Sequence, residues 1–173
     1  MRGVIDMDGY INKSYEVLHL GAANNIKSFS GEYAVSMEEG KFVDAVDIIL
    51  EQAERLRKEG NIFHTVPVSM RFVKKSDAFF SMMNGEDKCL IEVPMLKWTY
   101  GGFQILENIE KELIKIGGRP HWGQYNQLSE NNELIKRLYP DFDKWKKVYD
   151  YFNNAGTFEN NFTDMCGFSK IKT

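Results

Sequence analysis

The stretch KFVDAVDIILEQAERLRK, residues 41–58, predicts an amphipathic helix between segments that have the pattern of β-strands. Its apolar residues recur mostly at three- and four-residue steps, the spacing of one helix face: Phe42, Ala45, Val46, Ile49, Ala53 and Leu56. Glu51 and Arg55 have the spacing of a helical ion pair. Gly60 is a typical residue at which such a helix ends. A helix of this kind needs a sheet or another helix to cover its apolar face.

Strand-like segments lie on both sides of this helix, and a second amphipathic helix follows them. In chain order they are strands at residues 32–37, 65–73 and 88–95, a helix between Gly101-Gly102 and Gly117-Gly118, and a short strand at residues 119–122. The second and third strands read as a wide antiparallel hairpin around the polar loop 81–87. This order predicts an α+β fold with a ferredoxin-like antiparallel sheet and both helices on one face.

Both ends of the chain extend beyond this predicted core, which we place at residues 31–124. Residues 1–30 form an N-terminal segment with one strand candidate at residues 15–20. We interpret this segment as the remnant of a longer chain, because it begins without a helix cap or an apolar residue pattern. Residues 125–173 form a C-terminal helical extension, with two short helices separated by Tyr139-Pro140.

Composition narrows the class of protein. The chain has 173 residues, of which 43% are hydrophobic, so it can build a core. Its net charge of −3, with acids and bases interleaved, argues against a nucleic-acid-binding surface. The sequence has no apolar run long enough to span a bilayer and no signal peptide. Cys89 and Cys166 fit free thiols, with a disulfide as the alternative. We expect a soluble cytoplasmic protein that would associate with a membrane only through a partner.

The motif RPHWGQ, residues 119–124, is the strongest candidate for a functional segment. Pro120 restricts the backbone, and His121 and Trp122 present two flat rings in succession, which would suit a flat conjugated ligand. The alternative is that Trp122 anchors the core and His121 forms structural hydrogen bonds. The sequence contains no glycine-rich phosphate loop, metal-ligand cluster or Ser-His-Asp pattern.

Five further motifs accompany RPHWGQ in a consistent order. They are EYAV at residues 32–35, VPVSMRFV at 66–73, DAFFS at 77–81, LYP at 138–140 and GTFEN at 156–160. Together they resemble the C-terminal part of the aldonolactone oxidases, vanillyl-alcohol-oxidase-type flavoproteins that include gulonolactone, D-arabinono-1,4-lactone and alditol oxidases. The resemblance implies a cap domain that forms the substrate pocket for oxidation of a sugar lactone or polyol CH–OH group by FAD. It also implies an FAD-binding domain, in cis or in trans, as the main holder of the cofactor.

The same resemblance implies catalytic positions at Ser69, Arg71, Glu92 and Gln124. Arg71 matches a strand arginine directed at substrate and flavin, whereas Ser69 and Gln124 stand where the family usually has glutamate and lysine. Glu92 lies where alditol oxidases have histidine, and a carboxylate there could replace the acid missing at position 69. The alternative for Arg71 and for Glu92 is that each simply faces water.

The cofactor-binding positions implied by the resemblance are His121, Trp122 and Asn160. Because two expected charges are missing, and Asn154-Ala155 replaces the usual Asp-Pro, three hypotheses follow. The chain is the cap of an oxidase and inactive alone, a catalytically degenerate cap-like binding module, or an unrelated ferredoxin-like interaction domain. The third predicts that Arg71, Glu92 and His121 do not share one site.

Overall fold

A computed structural model describes residue 13 and residues 26–169 of the chain. Four strands form one sheet: β1 Ser28–Ser36, β2 Ser69–Val73, β3 Lys88–Leu96 and β4 Arg119–Pro120. Within residues 26–169, five α-helices accompany them: α1 Lys41–Gly60, α2 Gly102–Lys115, α3 Asn132–Leu138, α4 Phe142–Phe152 and α5 Asn161–Met165. Short 3₁₀ turns lie at Glu38–Gly40 and Leu128–Glu130.

The strands stand in the order β2-β3-β1-β4, and every neighbouring pair is antiparallel. From β1 to β4, the strands and α-helices follow in the order strand, helix, strand, strand, helix and strand. The predicted α+β class with an antiparallel sheet is therefore confirmed. The strand candidate at residues 15–20 lies outside the described residues.

Several element boundaries differ from the prediction for local reasons. Helix α1 runs to Gly60, and Asn61 ends it with a left-handed φ of 52°. Strand β2 begins at Ser69 and not at Thr65, because the Thr65 hydroxyl accepts a hydrogen bond from the Leu96 N–H (3.0 Å) in place of ladder pairing. Strand β4 is only two residues long, although the His121 N–H just after it still donates to the Glu32 carbonyl oxygen (2.8 Å).

The first core lies between the sheet and the two long helices. Side chains alternate along a strand, so every second residue of β1 and β3 faces α1 and α2. The buried residues of this core include Tyr33, Val35, Cys89, Ile91, Val93 and Met95 from the strands and Ala45, Ile49, Ile105, Leu106, Ile109 and Leu113 from the helices. Glycine is required where α2 begins: Gly101 has a φ of 67°, and a Cβ on Gly102 would lie 2.7 Å from the Phe29 ring.

Half of the opposite sheet face is covered by the loop between β2 and β3. Met82 packs there against Ala34 and Leu90. The buried Arg119 guanidinium fixes this loop by donating hydrogen bonds to the backbone oxygens of Met82 (3.2 Å) and Asn84 (2.9 Å). The loop stops short of the other half of the face, where polar side chains collect.

A second core joins the C-terminal helices to the segment after β4. Its buried residues are Leu128, Ile135, Leu138, Tyr139, Phe142, Cys166 and Phe168. Phe80, from the β2–β3 loop, reaches this core and stacks on Trp145 with ring centroids 4.3 Å apart. The predicted helices on either side of Tyr139-Pro140 are present as α3 and α4.

The two cysteines are free, so the disulfide alternative is wrong. Cys89 belongs to the first core and Cys166 to the second. Burial raises the pKa of both thiols, that of Cys166 to about 11. Within residues 26–169, no helix combines the length and the apolar character that crossing a membrane requires.

Candidate functional site

The candidate site is the uncovered half of the sheet face opposite α1 and α2. The register of the sheet places Glu32 of β1 directly opposite Glu92 of β3, and Ser69 of β2 opposite Glu92. Paired residues share a face, so three neighbouring strands present these side chains side by side. We call this group, with Ser30, Arg71, His121 and Gln124, the polar face.

Glu92 is surrounded by neutral hydrogen-bond donors. Its Oε1 accepts hydrogen bonds from the Ser30 hydroxyl (3.1 Å) and, at the limit of such contacts, from the Gln124 amide (3.5 Å). Its Oε2 accepts one from the Ser69 hydroxyl (3.3 Å). The Ser30 hydroxyl also lies 3.1 Å from Gln124 Oε1, and because it carries one proton it donates to one of the two at a time. Glu92 is therefore held by polar groups that carry no charge.

Glu32 is the buried anion of the polar face, with a side chain only 1% exposed. Its Oε1 accepts a hydrogen bond from the Arg71 guanidinium, and its Oε2 lies 3.9 Å from His121 Nε2. A buried carboxylate is costly unless it is paired, and Arg71 supplies the opposite charge. The hydrogen bond and the charge of Glu32 raise the pKa of Arg71, with a smaller contribution from Glu92.

Arg71 was predicted either to point at substrate and flavin or simply to face water, and the structure combines features of both. Its side chain is 59% exposed and faces water, yet it is anchored by Glu32. A guanidinium has five N–H donors in a fixed fork, so the pair with Glu32 leaves donors directed toward the surface.

His121 is hydrogen-bonded to Glu32 through its backbone, and its ring lies near the Glu32 carboxylate. Its N–H donates to the Glu32 carbonyl oxygen (2.8 Å), which continues the pairing of β4 with β1. Its Nδ1 accepts a hydrogen bond from the Gly123 N–H (3.0 Å). In the neutral ring the proton therefore lies on Nε2, the nitrogen that faces Glu32.

The structure brings together the four residues predicted as catalytic, Ser69, Arg71, Glu92 and Gln124. His121 joins them through Glu32, so Arg71, Glu92 and His121 lie on one surface, contrary to what an unrelated domain would predict. The other two predicted cofactor-binding residues lie elsewhere. Trp122 packs against the second core, and the Asn160 side chain caps α5 by accepting the N–H groups of Phe162 and Thr163.

Two residues of the polar face, Ser30 and Glu32, were not among the predicted site residues. Glu32 did give a signal in the sequence, because it is the one charged residue in the apolar run EYAV. A charge inside a buried strand is costly, so its presence indicates a paired or functional group. Ser30 gave no such signal, since serine is common at strand ends.

Comparison with known proteins agrees with the motif order. Residues 2–166 match the family model described as D-arabinono-1,4-lactone oxidase. An L-gulonolactone oxidase from Scyliorhinus torazame is 29% identical over 112 residues, which are 62% of this chain and 25% of that protein. A long-chain alcohol oxidase from an uncultured marine euryarchaeote is 27% identical over 106 residues, 58% of this chain and 22% of that protein. The chain thus spans about a quarter of the length of these curated relatives.

Proposed function

Because the chain belongs to the D-arabinono-1,4-lactone oxidase family, we propose that it is the substrate-binding cap of an FAD-dependent oxidoreductase. Its substrate is a sugar lactone or a polyol, oxidised at a CH–OH group. The observation that carries the proposal is the setting of Glu92, a carboxylate among three neutral donors on an uncovered sheet face. Hydroxyl groups donate and accept hydrogen bonds, so a polyhydroxylated ligand complements these groups.

Five residues of the polar face have a role in this proposal. Glu92 accepts a hydrogen bond from a substrate hydroxyl, while Ser69 and Gln124 can each donate to or accept from a neighbouring hydroxyl. The surface-directed donors of Arg71 bind a carbonyl or ring oxygen of a lactone. Glu32 touches no substrate; it holds Arg71 in place and lies beside the Nε2 atom of His121.

FAD, when bound, supplies the acceptor for the hydride that leaves the alcohol carbon. The charge of the polar face fits that cofactor poorly. A reduced flavin anion is stabilised by positive charge, but Glu32 neutralises Arg71, Gln124 is neutral and Glu92 adds a negative charge. We therefore assign to this chain the binding and orientation of the substrate, and no part in stabilising the reduced flavin.

The FAD-binding domain would be supplied in cis or in trans, and the free thiols fit a cytoplasmic location.

Titration of the isotope-labelled chain with sorbitol, xylitol and L-gulono-1,4-lactone, followed by NMR, tests the binding role. We expect saturable shifts of the backbone amides of Ser30, Ser69 and Gln124. In Glu92→Ala these shifts should weaken strongly, whereas Glu133→Ala, at a side chain 85% exposed on α3, should behave like wild type. Shifts that are absent, or that Glu92→Ala leaves unchanged, would contradict the proposal.

A second candidate is a polyol-binding module without turnover, favoured by the neutralised charge of Arg71. Adding an FAD-binding domain of the family and an electron-accepting dye to the chain separates the two candidates. A cap of an active oxidase gives polyol-dependent dye reduction that falls in Arg71→Gln. A non-catalytic module binds the polyol in the NMR titration but gives no dye reduction.

A further inference from the structure

The charges of the polar face do not balance. Two carboxylates, Glu32 and Glu92, stand beside one guanidinium, that of Arg71. Arg71 makes its hydrogen bond to Glu32, the buried member of the pair. With His121 neutral, the polar face carries one net negative charge, and the partly exposed Glu92 is the carboxylate without an ion-pair partner among the described residues.

The hydrogen bonds of Glu92 also show where a ligand can bind. A carboxylate oxygen has about two lone-pair positions. Oε1 has two donors within hydrogen-bond distance, the Gln124 amide and the Ser30 hydroxyl that it shares with Gln124 Oε1, whereas Oε2 has only the Ser69 hydroxyl. Within residues 26–169 the open acceptor position of Glu92 is therefore on Oε2, beside Ser69.

We infer that Glu92 determines specificity by charge, so that the polar face prefers amino-substituted polyols, accepts neutral ones and disfavours those that carry a carboxylate. This inference rests on the proposed function and specifies its substrate class. An ammonium group has three donors and a positive charge, and it forms a charge-assisted hydrogen bond with Glu92 Oε2. A ligand carboxylate has only acceptors and meets a like charge at the same place.

The expected size of the preference follows from the exposure of the site. Ion pairs that water can reach contribute at most about 1 kcal/mol, which corresponds to about five-fold in affinity. We therefore expect the ammonium-bearing ligand to bind about five-fold more tightly than its neutral counterpart. The preference should shrink as salt is added, because salt screens charges at an exposed site.

Sorbitol, glucamine and gluconate test the inference, since they share one six-carbon skeleton and end in hydroxymethyl, protonated aminomethyl and carboxylate groups respectively. Affinities at neutral pH are measured by NMR titration of the full chain. Wild type should bind glucamine most tightly and gluconate least. Glu92→Gln, which keeps the side-chain shape, should bind all three about equally, and the matched surface variant Glu133→Gln should retain the wild-type order.

Two results would overturn the inference: equal affinities for the three ligands in wild type, or the wild-type order preserved in Glu92→Gln. Either leaves the proposed function standing, provided that sorbitol binds at the polar face. Absence of binding by all three ligands would instead reject the proposed function. Should Glu92→Gln not fold, the salt dependence of the glucamine-to-sorbitol ratio in wild type decides, and a ratio that salt does not reduce refutes the inference.

Discussion

Glu110 should make the protein less stable as the pH rises toward neutrality. This side chain of α2 is only 1% exposed. Its Oε1 accepts the Gln127 N–H (2.8 Å), and its Oε2 has no hydrogen-bond partner among the described residues. Burial raises the pKa of Glu110 to about 7, which the Gln127 N–H partly opposes and the charge of Glu107 reinforces.

The direction in which stability changes with pH follows from comparing the pKa of Glu110 in the folded and unfolded states. In the unfolded chain this carboxyl titrates at its ordinary pKa of 4.5, against about 7 in the folded protein. Between these values the folded state binds more protons, so the free energy of unfolding falls as the pH rises through that window. At 1.36 kcal/mol for each unit of pKa shift, the loss is about 3 kcal/mol, complete once the pH exceeds the folded pKa.

Glu110→Gln isolates this effect, because the amide oxygen can still accept the Gln127 N–H while the ionisation is removed. Urea unfolding should give the variant an advantage of about 3 kcal/mol over wild type at about pH 8, shrinking toward about pH 4.5. Glu133→Gln, at an exposed carboxylate, should show no such pH-dependent gain. If wild type and Glu110→Gln had the same dependence of unfolding free energy on pH, the assignment of a buried proton to Glu110 would be wrong.

Three further predictions concern stability and are measured by urea unfolding at neutral pH unless stated. Glu86→Gln leaves the buried Lys88 ammonium without its counter-charge and should cost about 3 kcal/mol. Because burial lowers the pKa of Lys88, that cost should shrink in alkaline solution as the amine loses its proton; a constant cost would contradict this. Phe80→Ala removes the ring stacked on Trp145 and should cost about 3 kcal/mol, whereas a loss below about 1 kcal/mol would mean that the second core does not depend on it. Asn160→Ala removes the cap of α5 and should cost about 1 kcal/mol while leaving polyol binding unchanged; weaker polyol binding would contradict a purely structural role for the Asn160 side chain.

The fold could be predicted where the sequence pattern is long. Helix α1 was predicted to within two residues because its apolar spacing persists over five turns. Helix α5 was not predicted, because it has five residues and buries only Thr163. Its position depends on the capping by Asn160 and on contacts with the second core. Neither produces a repeating pattern of apolar residues in the sequence.

Four of the predicted site residues lie close together in the structure, but their role stays a prediction and their pairing was not foreseen. Motif positions indicated Ser69, Arg71, Glu92 and Gln124, yet the pairing of Arg71 with Glu32 depends on strand register over long sequence separations. Residues that are close in the sequence also separate in space around Trp122. The chain turns after His121, with the Gln124 N–H donating to the His121 carbonyl oxygen (3.2 Å), so Trp122 contacts the second core while its neighbours reach the polar face.

The pairing of Glu32 with Glu92 has a consequence for how this protein can vary. In β1 and β3 the odd-numbered residues face the first core, whereas the even-numbered ones face the opposite side, where Ala34 and Leu90 pack under the loop and Ser30, Glu32 and Glu92 belong to the polar face. Deleting a single residue within β3 would bring Ile91 to the polar side and Glu92 toward α1 and α2. Point substitutions at the even-numbered positions of the polar face can therefore change ligand specificity without altering the first core. A change in the length of either strand alters both together, so insertions and deletions should be tolerated only in the loops.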